Sequence, residues 1–205
     1  MKKFMFLAMV ASLMYGCSSD EDECSPPTDT SRVEIKLNAD IFEIKTKAPV
    51  NTGQAITAKF VASATTGDYS TNLWNATANF TASTTASPTF SFTPQQYYPT
   101  NGSTVYIKGY YPAGTLSGNT VTFTETDGSN DVMITAEASG SKTTSNPLAF
   151  TFNHLLTQLQ FTFKAGAGFP TSGKNVTSIS VKDQQTPASL NLNDGSLTYN
   201  PVGSG

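Results

Sequence analysis

Residues 148–163, LAFTFNHLLTQLQFTF, carry the strongest fold signal of the chain, because apolar and polar side chains alternate along them. The apolar residues of one parity are Leu148, Phe150 and Phe152, and those of the other are Leu155, Leu159, Phe161 and Phe163. A shift of one residue turns every side chain of a strand to the opposite face. Both sets can therefore face one core only if a corner or short helical turn lies between them, at residues 153–157. The stretch predicts two buried strands joined by that corner.

The single histidine of the chain, His154, lies at the predicted corner. No G-x-S-x-G pattern accompanies it, as a serine nucleophile would require. One histidine and one spare cysteine do not make a zinc ligand set, and no Gly-rich phosphate loop is found. We therefore expect no catalytic residue, no metal and no cofactor. His154 is predicted to hydrogen-bond backbone groups left unpaired at the corner.

Composition favours an all-β protein exported from the cytoplasm. The chain has 205 residues, of which 38% are hydrophobic and only 13% charged. Short segments rich in Thr, Val, Phe and Tyr, such as QAITAKFVAS, STVYIKGYYP, NDVMITAE and VTSISVKD, recur between turn clusters such as PTNG, DGSN and NDG. This pattern predicts an antiparallel β-sandwich of Greek-key type with minor helix. With a net charge of -3 and Arg32 as its one arginine, the chain offers no basic surface for nucleic acid.

The first 17 residues, MKKFMFLAMVASLMYGC, are typical of an export signal. Two lysines precede an apolar run that is too short to span a membrane of about 30 Å as a helix. The end of the run resembles a bacterial lipobox, in which Cys17 would be lipidated, although Met14 and Tyr15 depart from the usual residues. Simple secretion is the alternative. Lipidation would anchor the chain in outer-membrane lipid through palmitate on Cys17.

A polar tether and a regular strand follow the signal. Residues 18–32 begin with the acidic run SSDEDE and cannot bury enough apolar area to fold alone. Residues 33–41, VEIKLNADI, then alternate with period two, which predicts a half-buried first strand. Its apolar face comprises Val33, Ile35, Leu37, Ala39 and Ile41.

Four segments in this order resemble the N-terminal domain of the fimbrillin family, the Mfa-like pilus subunits of Gram-negative anaerobes. They are PQQYYPTNGSTVYIKGYYPAG, NDVMITAEA, NPLAFTFNHLLTQLQFTFKAG and ISVKDQQTPASLNLNDGSL. The resemblance covers roughly residues 33–205. It implies a transthyretin-like β-sandwich over residues 48–205 and a non-enzymatic, fimbrial role in cell adhesion.

The resemblance also implies an assembly mechanism. Fimbrillins are exported as lipoproteins, and a trypsin-like protease removes an N-terminal segment that includes the first strand. The vacated groove then accepts a strand from the C-terminal part of another subunit. In this sequence the removable segment would be residues 33–47, with cleavage after Lys47 and Arg32 as the alternative site.

Partners and location follow from the same resemblance. We expect other fimbrial subunits in a donor-strand polymer, outer-membrane lipid and a ligand on a host or bacterial surface. The chain would be a surface-exposed outer-membrane lipoprotein within a fimbrium. It lacks the second sandwich expected of the family, so it is either a fragment or a short variant that accepts a strand without giving one.

A glycan-binding surface lipoprotein that stays monomeric is the alternative function. Aromatic side chains stack on sugars, and five of them could form such a platform. They are Trp74, Tyr97, Tyr98, Tyr110 and Tyr111. Such a binder should keep its first strand, whereas a pilus subunit should lose it.

Overall fold

The computed structural model describes residues 32–41, 53–82, 89–124, 131–157, 159, 161–168 and 175–202. Its strands in chain order are β1 (Lys36–Ile41), β2 (Ala55–Ser63), β3 (Trp74–Thr81), β4 (Phe90–Ser91), β5 (Val105–Tyr111), β6 (Thr115–Ser117), β7 (Thr120–Thr122), β8 (Met133–Thr135), β9 (Ala138–Gly140), β10 (Leu148–His154), β11 (Pro187–Asn191) and β12 (Leu197–Tyr199). The described residues contain no helix, and hence none that could cross a membrane.

Eight strands form one sheet in the order β3-β2-β5-β8-β10-β1-β4, and β9 pairs with β5. The two ends of this order approach each other, because Thr93, just after β4, pairs with Thr77 of β3 through two backbone hydrogen bonds of 2.7 and 2.9 Å. The sheet is therefore nearly closed. A second sheet has four strands in the order β12-β11-β7-β6.

Two groups of buried side chains stabilise these sheets. The large core contains 18 buried residues, among them Ile35, Leu37, Phe60, Phe150 and Phe152. Its rings pack edge to face, with the centroid of Phe60 at 5.2 Å from that of Phe150 and 5.9 Å from that of Phe152. These distances lie in the favourable range for aromatic pairs. The closed sheet is thus filled by its own side chains.

The small core lies between the two sheets. It contains Val61, Tyr69, Tyr110, Val121, Phe123, Val132, Ile134, Leu190 and Leu192. Alternation along β2 explains how one strand serves both cores, because Phe60 points into the large core and Val61 into the small one.

The all-β prediction is confirmed, with three corrections to its detail. Most strand pairs are antiparallel, but β1 runs parallel to β10. The described residues hold a nearly closed sheet and a small second sheet in place of the expected simple sandwich, and the minor helix is absent from them. Strand β3 was not predicted, because its buried face is built largely from the small side chains of Ala76 and Ala78.

The second apolar strand predicted within residues 148–163 does not form. β10 ends at His154 and the chain bends at Leu156, but residues 159 and 161–168 are in no strand. Leu159, Phe161 and Phe163 are 50–58% exposed. The strand predicted at VTSISVKD is likewise absent, and its Ile179 is 52% exposed. Alternation alone does not supply the neighbouring strand that a sheet requires.

Candidate functional site

The first strand occupies an interior place in the large sheet. From Leu37 to Ile41 it pairs in parallel with Leu148 to Phe152 of β10. On its other side lie residues 89–98, here called the strap, which include β4. β1 is thus bordered on both sides by segments far away in sequence. Among the described residues, β1 is the strand that lies between β10 and the strap.

The strap contacts the residues just before β1 and the first residues of β1. The amide of Tyr98 donates to the carbonyl of Val33 at 2.9 Å, and the amide of Ile35 donates to the carbonyl of Gln96 at the same distance, 2.9 Å. Leu37 then pairs with Phe90 in the short antiparallel ladder of β4. Leu37 is therefore the residue at which pairing passes from the strap to β10.

Two inward side chains of the first strand segment are fully buried. Ile35 and Leu37 are 0% exposed and belong to the large core, and Val33 packs against it while half-buried. Burying such a side chain contributes about 1.5–3 kcal/mol. Ala39 and Ile41 lie on β1 opposite Phe150 and Phe152, but their side chains fall outside the described part. The place between β10 and the strap thus holds an extended segment with aliphatic residues at alternate positions.

The strap is itself attached to β2 and β3 by aromatic contacts. Phe90 stacks on Phe80 with 5.3 Å between ring centroids. Phe92 lies edge-on to Phe60 at 5.3 Å and to Trp74 at 5.1 Å. These ring contacts are made with β2 and β3 and not with β1, so we expect them to hold the strap in place without β1.

Of the two predicted processing residues, only Arg32 is described. Its guanidinium lies 4.1 Å from the centroid of the Tyr97 ring, within cation–π distance. The bond after Arg32 directly precedes Val33, whose carbonyl is hydrogen-bonded to the strap. Lys47 and Cys17 lie outside the described residues.

His154 contacts a carboxylate and not the backbone groups that we predicted. Its Nδ1 forms a short contact with the Oδ2 of Asp131, and both side chains are nearly inaccessible, at 4% and 2% exposure. Burial raises the pKa of Asp131, an effect that the neighbouring His154 partly offsets. The pair joins the end of β10 to the segment before β8. Sequence spacing gave no signal for this contact, because 23 residues separate the partners.

A second polar group, also missed from the sequence, centres on Glu137. Its carboxylate accepts hydrogen bonds from the Thr66 hydroxyl at 2.6 Å, the Gly67 amide at 2.8 Å and the Tyr69 hydroxyl at 2.7 Å. Partial burial raises the pKa of Glu137, but these hydrogen bonds and the charge of Lys108 outweigh it, so the pKa lies below its usual value. The group connects the turn after β2 to the chain before β9.

Lys108 extends this polar group towards the small sheet. Its side chain is 9% exposed, and its Nζ donates to the carbonyl of Leu192 at 2.7 Å. Burial lowers the pKa of Lys108, and the charges of Glu137 and Asp194 partly compensate. Each buried polar atom here has a partner, as a structural tie requires. Among the described residues no cluster of acidic, His or Cys side chains could hold a metal ion.

The five aromatic residues considered for sugar stacking do not form a platform. Tyr111 is partly buried and packs against the large core. Tyr98 and Tyr110 are each 2% exposed, and Tyr98 belongs to the large core while Tyr110 belongs to the small core. Trp74 packs against Phe92, and the face of Tyr97 is covered by Arg32. These rings pack against other side chains, so they do not form a shared exposed surface on which a sugar could stack. The described residues therefore give the glycan-binding alternative no support.

Comparison with known proteins agrees with this architecture. The chain is 31% identical over 210 residues to the putative fimbrium subunit Fim1C of Bacteroides uniformis; the match covers 95% of this chain and 66% of that protein. The fold is similar to the crystal structure of a putative cell adhesion protein from Bacteroides uniformis, with a TM-score of 0.51 and 21% identity over 86% of this chain and 69% of that one. The model of the fimbrillin-like family matches residues 45–202. The chain thus belongs to the fimbrillin-like family.

Proposed function

We propose that this protein is a subunit of cell-surface fimbriae that exchanges its first strand for a strand of another subunit. The observation that carries the proposal is the interior place of β1, between β10 and the strap. A segment in this place fills the large core with Ile35 and Leu37. If it left, another extended segment could restore both the buried area and the backbone pairing.

Proteolysis after Lys47 is the step that would free the strand. A cut after Arg32 would leave β1 attached to the rest of the chain, because the strand begins C-terminal to that bond. A cut after Lys47 would separate β1 from β2 and all later strands. The strand would then be held only by non-covalent contacts, which a competing strand can replace.

The proposal is tested by comparing fibres from three forms of the chain. The natural form should give fibres whose subunit begins at Ala48, as read by N-terminal sequencing and mass spectrometry. Lys45→Gln together with Lys47→Gln should abolish fibres, whereas Arg32→Gln should leave them unchanged. Fibres whose subunits begin at Cys17 or Val33 would refute removal of the strand.

We further propose that Cys17 carries lipid and holds the precursor at the outer membrane before processing, and that the finished fimbria mediates adhesion to a host or bacterial surface. The leader of residues 1–17 and the kinship with a putative fimbrium subunit support this. Cys17→Ser should abolish labelling of the precursor by radioactive palmitate, while Cys24→Ser should not. Equal labelling of both variants would contradict the anchor.

A further inference from the structure

We infer that the incoming strand runs antiparallel to β10, in the direction opposite to that of β1. The inference rests on the proposed function, since it concerns the strand that replaces β1. It specifies the partner as an extended segment with aliphatic residues at every second position and with a defined chain direction in the groove.

The parallel pairing of β1 with β10 differs from all other strand pairs among the described residues. Every other strand pair in the described part of the chain is antiparallel. Parallel pairs have slanted hydrogen bonds and are slightly less stable per residue than antiparallel pairs. The first strand is therefore paired less favourably with β10 than a strand of the same composition running the other way.

The strap favours the opposite direction, but its influence is weaker. Its regular ladder with β1 comprises only Lys36 opposite Ser91 and Leu37 opposite Phe90. Further along lies an isolated antiparallel bridge between Glu34 and Tyr97, with two backbone hydrogen bonds of 2.9 Å. Between them the strap leaves β1, because Thr93 pairs with β3. A strand that runs antiparallel to β10 would run parallel to the strap and would therefore lose this short antiparallel ladder.

On β10, by contrast, the ladder is continuous over five residues, from Leu148 to Phe152. β10 is a regular strand whose inward residues Leu148, Phe150 and Phe152 are at most 9% exposed. The longer and more regular ladder dominates the balance. Replacement of β1 by a strand antiparallel to β10 then lowers the free energy, so the exchange is favoured over the return of β1.

The groove fixes the side chains as well as the direction. The spaces taken by Ile35 and Leu37 are closed to water, and the rings of Phe60, Phe150 and Phe152 surround the same core. Aliphatic side chains at alternate positions fill such spaces in either direction, because side chains of a strand alternate irrespective of its direction. A peptide with the residues of β1 in reverse order is therefore a suitable probe.

The experiment uses the full chain with a site-specific protease sequence inserted between Lys47 and Ala48, folded first and cut afterwards. Two peptides of identical composition are added in excess: VEIKLNADI, which is residues 33–41, and its reverse, IDANLKIEV. We expect the reverse peptide to displace the cut strand with a several-fold lower Kd than the forward peptide. The uncut chain, with β1 still covalently attached, is the control and should bind neither.

Direction is read by disulfide trapping in a form with Cys17→Ser and Cys24→Ser. Thr151→Cys supplies an exposed thiol on β10, opposite Asp40 of β1. The reverse peptide should be trapped when its own cysteine replaces the second residue, and the forward peptide when it replaces the eighth. Intact mass measures the yield.

The outcomes separate the inference from the proposal on which it rests. Tighter binding of the forward peptide, or trapping of the reverse peptide through its eighth residue, would overturn the antiparallel direction and leave strand exchange standing. If neither peptide enters the cut chain, both the inference and strand exchange are refuted. Preferential trapping of the reverse peptide through its second residue supports both.

Discussion

The two cores of the molecule are held together by different kinds of contact. The large core, which includes the first strand, is built from apolar side chains and edge-to-face rings. The small core is flanked by two polar ties, the His154–Asp131 pair and the group around Glu137. Apolar contacts are non-directional, so another aliphatic strand can reproduce them. Hydrogen bonds need particular partners, so they would hold the small core intact during the proposed exchange.

The largest expected effects come from two matched leucines, one in each core. Leu37 and Leu190 are both 0% exposed. Leu37→Ala and Leu190→Ala should each lower the free energy of unfolding of the intact chain by about 3 kcal/mol, because each leaves a cavity. Urea denaturation measures this loss.

The two variants should differ in strand exchange. In the chain cut after Lys47, only Leu37→Ala should speed the replacement of β1 by the reverse peptide, because Leu190 belongs to the small core and not to the large core that β1 fills. Equal acceleration by Leu190→Ala would show that the two cores open together, which would contradict an exchange confined to the large core.

A smaller effect is expected from the buried pair at the end of β10. His154→Leu removes the partner of Asp131, which burial already makes reluctant to ionise. Because the carboxyl group can take up a proton, the cost is that of an unsatisfied buried polar group, about 2 kcal/mol. The double variant His154→Leu with Asp131→Leu should regain part of this stability in thermal or urea unfolding. If the double variant were less stable than the single one, the cost would not come from leaving Asp131 without its partner.

Removing one hydroxyl from each core sharpens the comparison further. The Tyr69 hydroxyl donates to Glu137, whereas the buried Tyr98 hydroxyl has no hydrogen-bond partner among the described residues. Tyr69→Phe should cost about 1 kcal/mol of unfolding free energy, and Tyr98→Phe should be neutral or slightly stabilising. Both are read by urea denaturation at neutral pH. A loss at Tyr98 equal to that at Tyr69 would contradict a purely apolar large core.

The sequence predicted the strands that carry regular alternation of large side chains. VEIKLNADI, QAITAKFVAS and STVYIKGYYP all contain strands in the structure. LAFTF and LQFTF have nearly the same pattern, yet Phe152 is 0% exposed and Phe161 is 50% exposed. The difference lies in neighbours: β10 has β8 and β1 beside it, and residues 161–168 pair with no strand. Pattern gives the propensity of a segment, while pairing depends on the whole chain.

The candidate site was only half accessible to sequence reasoning. The first strand and its inward face could be read from period two. Its parallel direction could not, because local alternation is the same for both directions. The partners of His154 and Tyr69 lie 23 and 68 residues away. Such contacts follow from the topology of the sheets and have no local spacing by which they could be recognised.

The smallest expected effect is a dependence of stability on pH that originates at Glu137. Its pKa is lower in the folded protein than in the unfolded chain, so the unfolded chain binds the proton more readily. The carboxylate therefore adds stability above the unfolded pKa of about 4.3, and this contribution is lost as the pH falls through the folded pKa. Since the group is partly exposed, solvent screening keeps the effect below about 1 kcal/mol.

The variant Glu137→Gln isolates this contribution, because Asp68 and Asp194, whose pKa values are also lowered by hydrogen bonds to Ser70 and Ser196, are present in both proteins. Natural chain and variant should differ most near neutral pH and converge on acidification, when the protonated Glu137 resembles a glutamine. Urea denaturation from about pH 7 down to about pH 3 measures the difference in unfolding free energy across the titration range of a carboxyl group. A difference that stays constant over this range would mean that the polar tie beside the small core holds through the shape of the side chain and not through its charge.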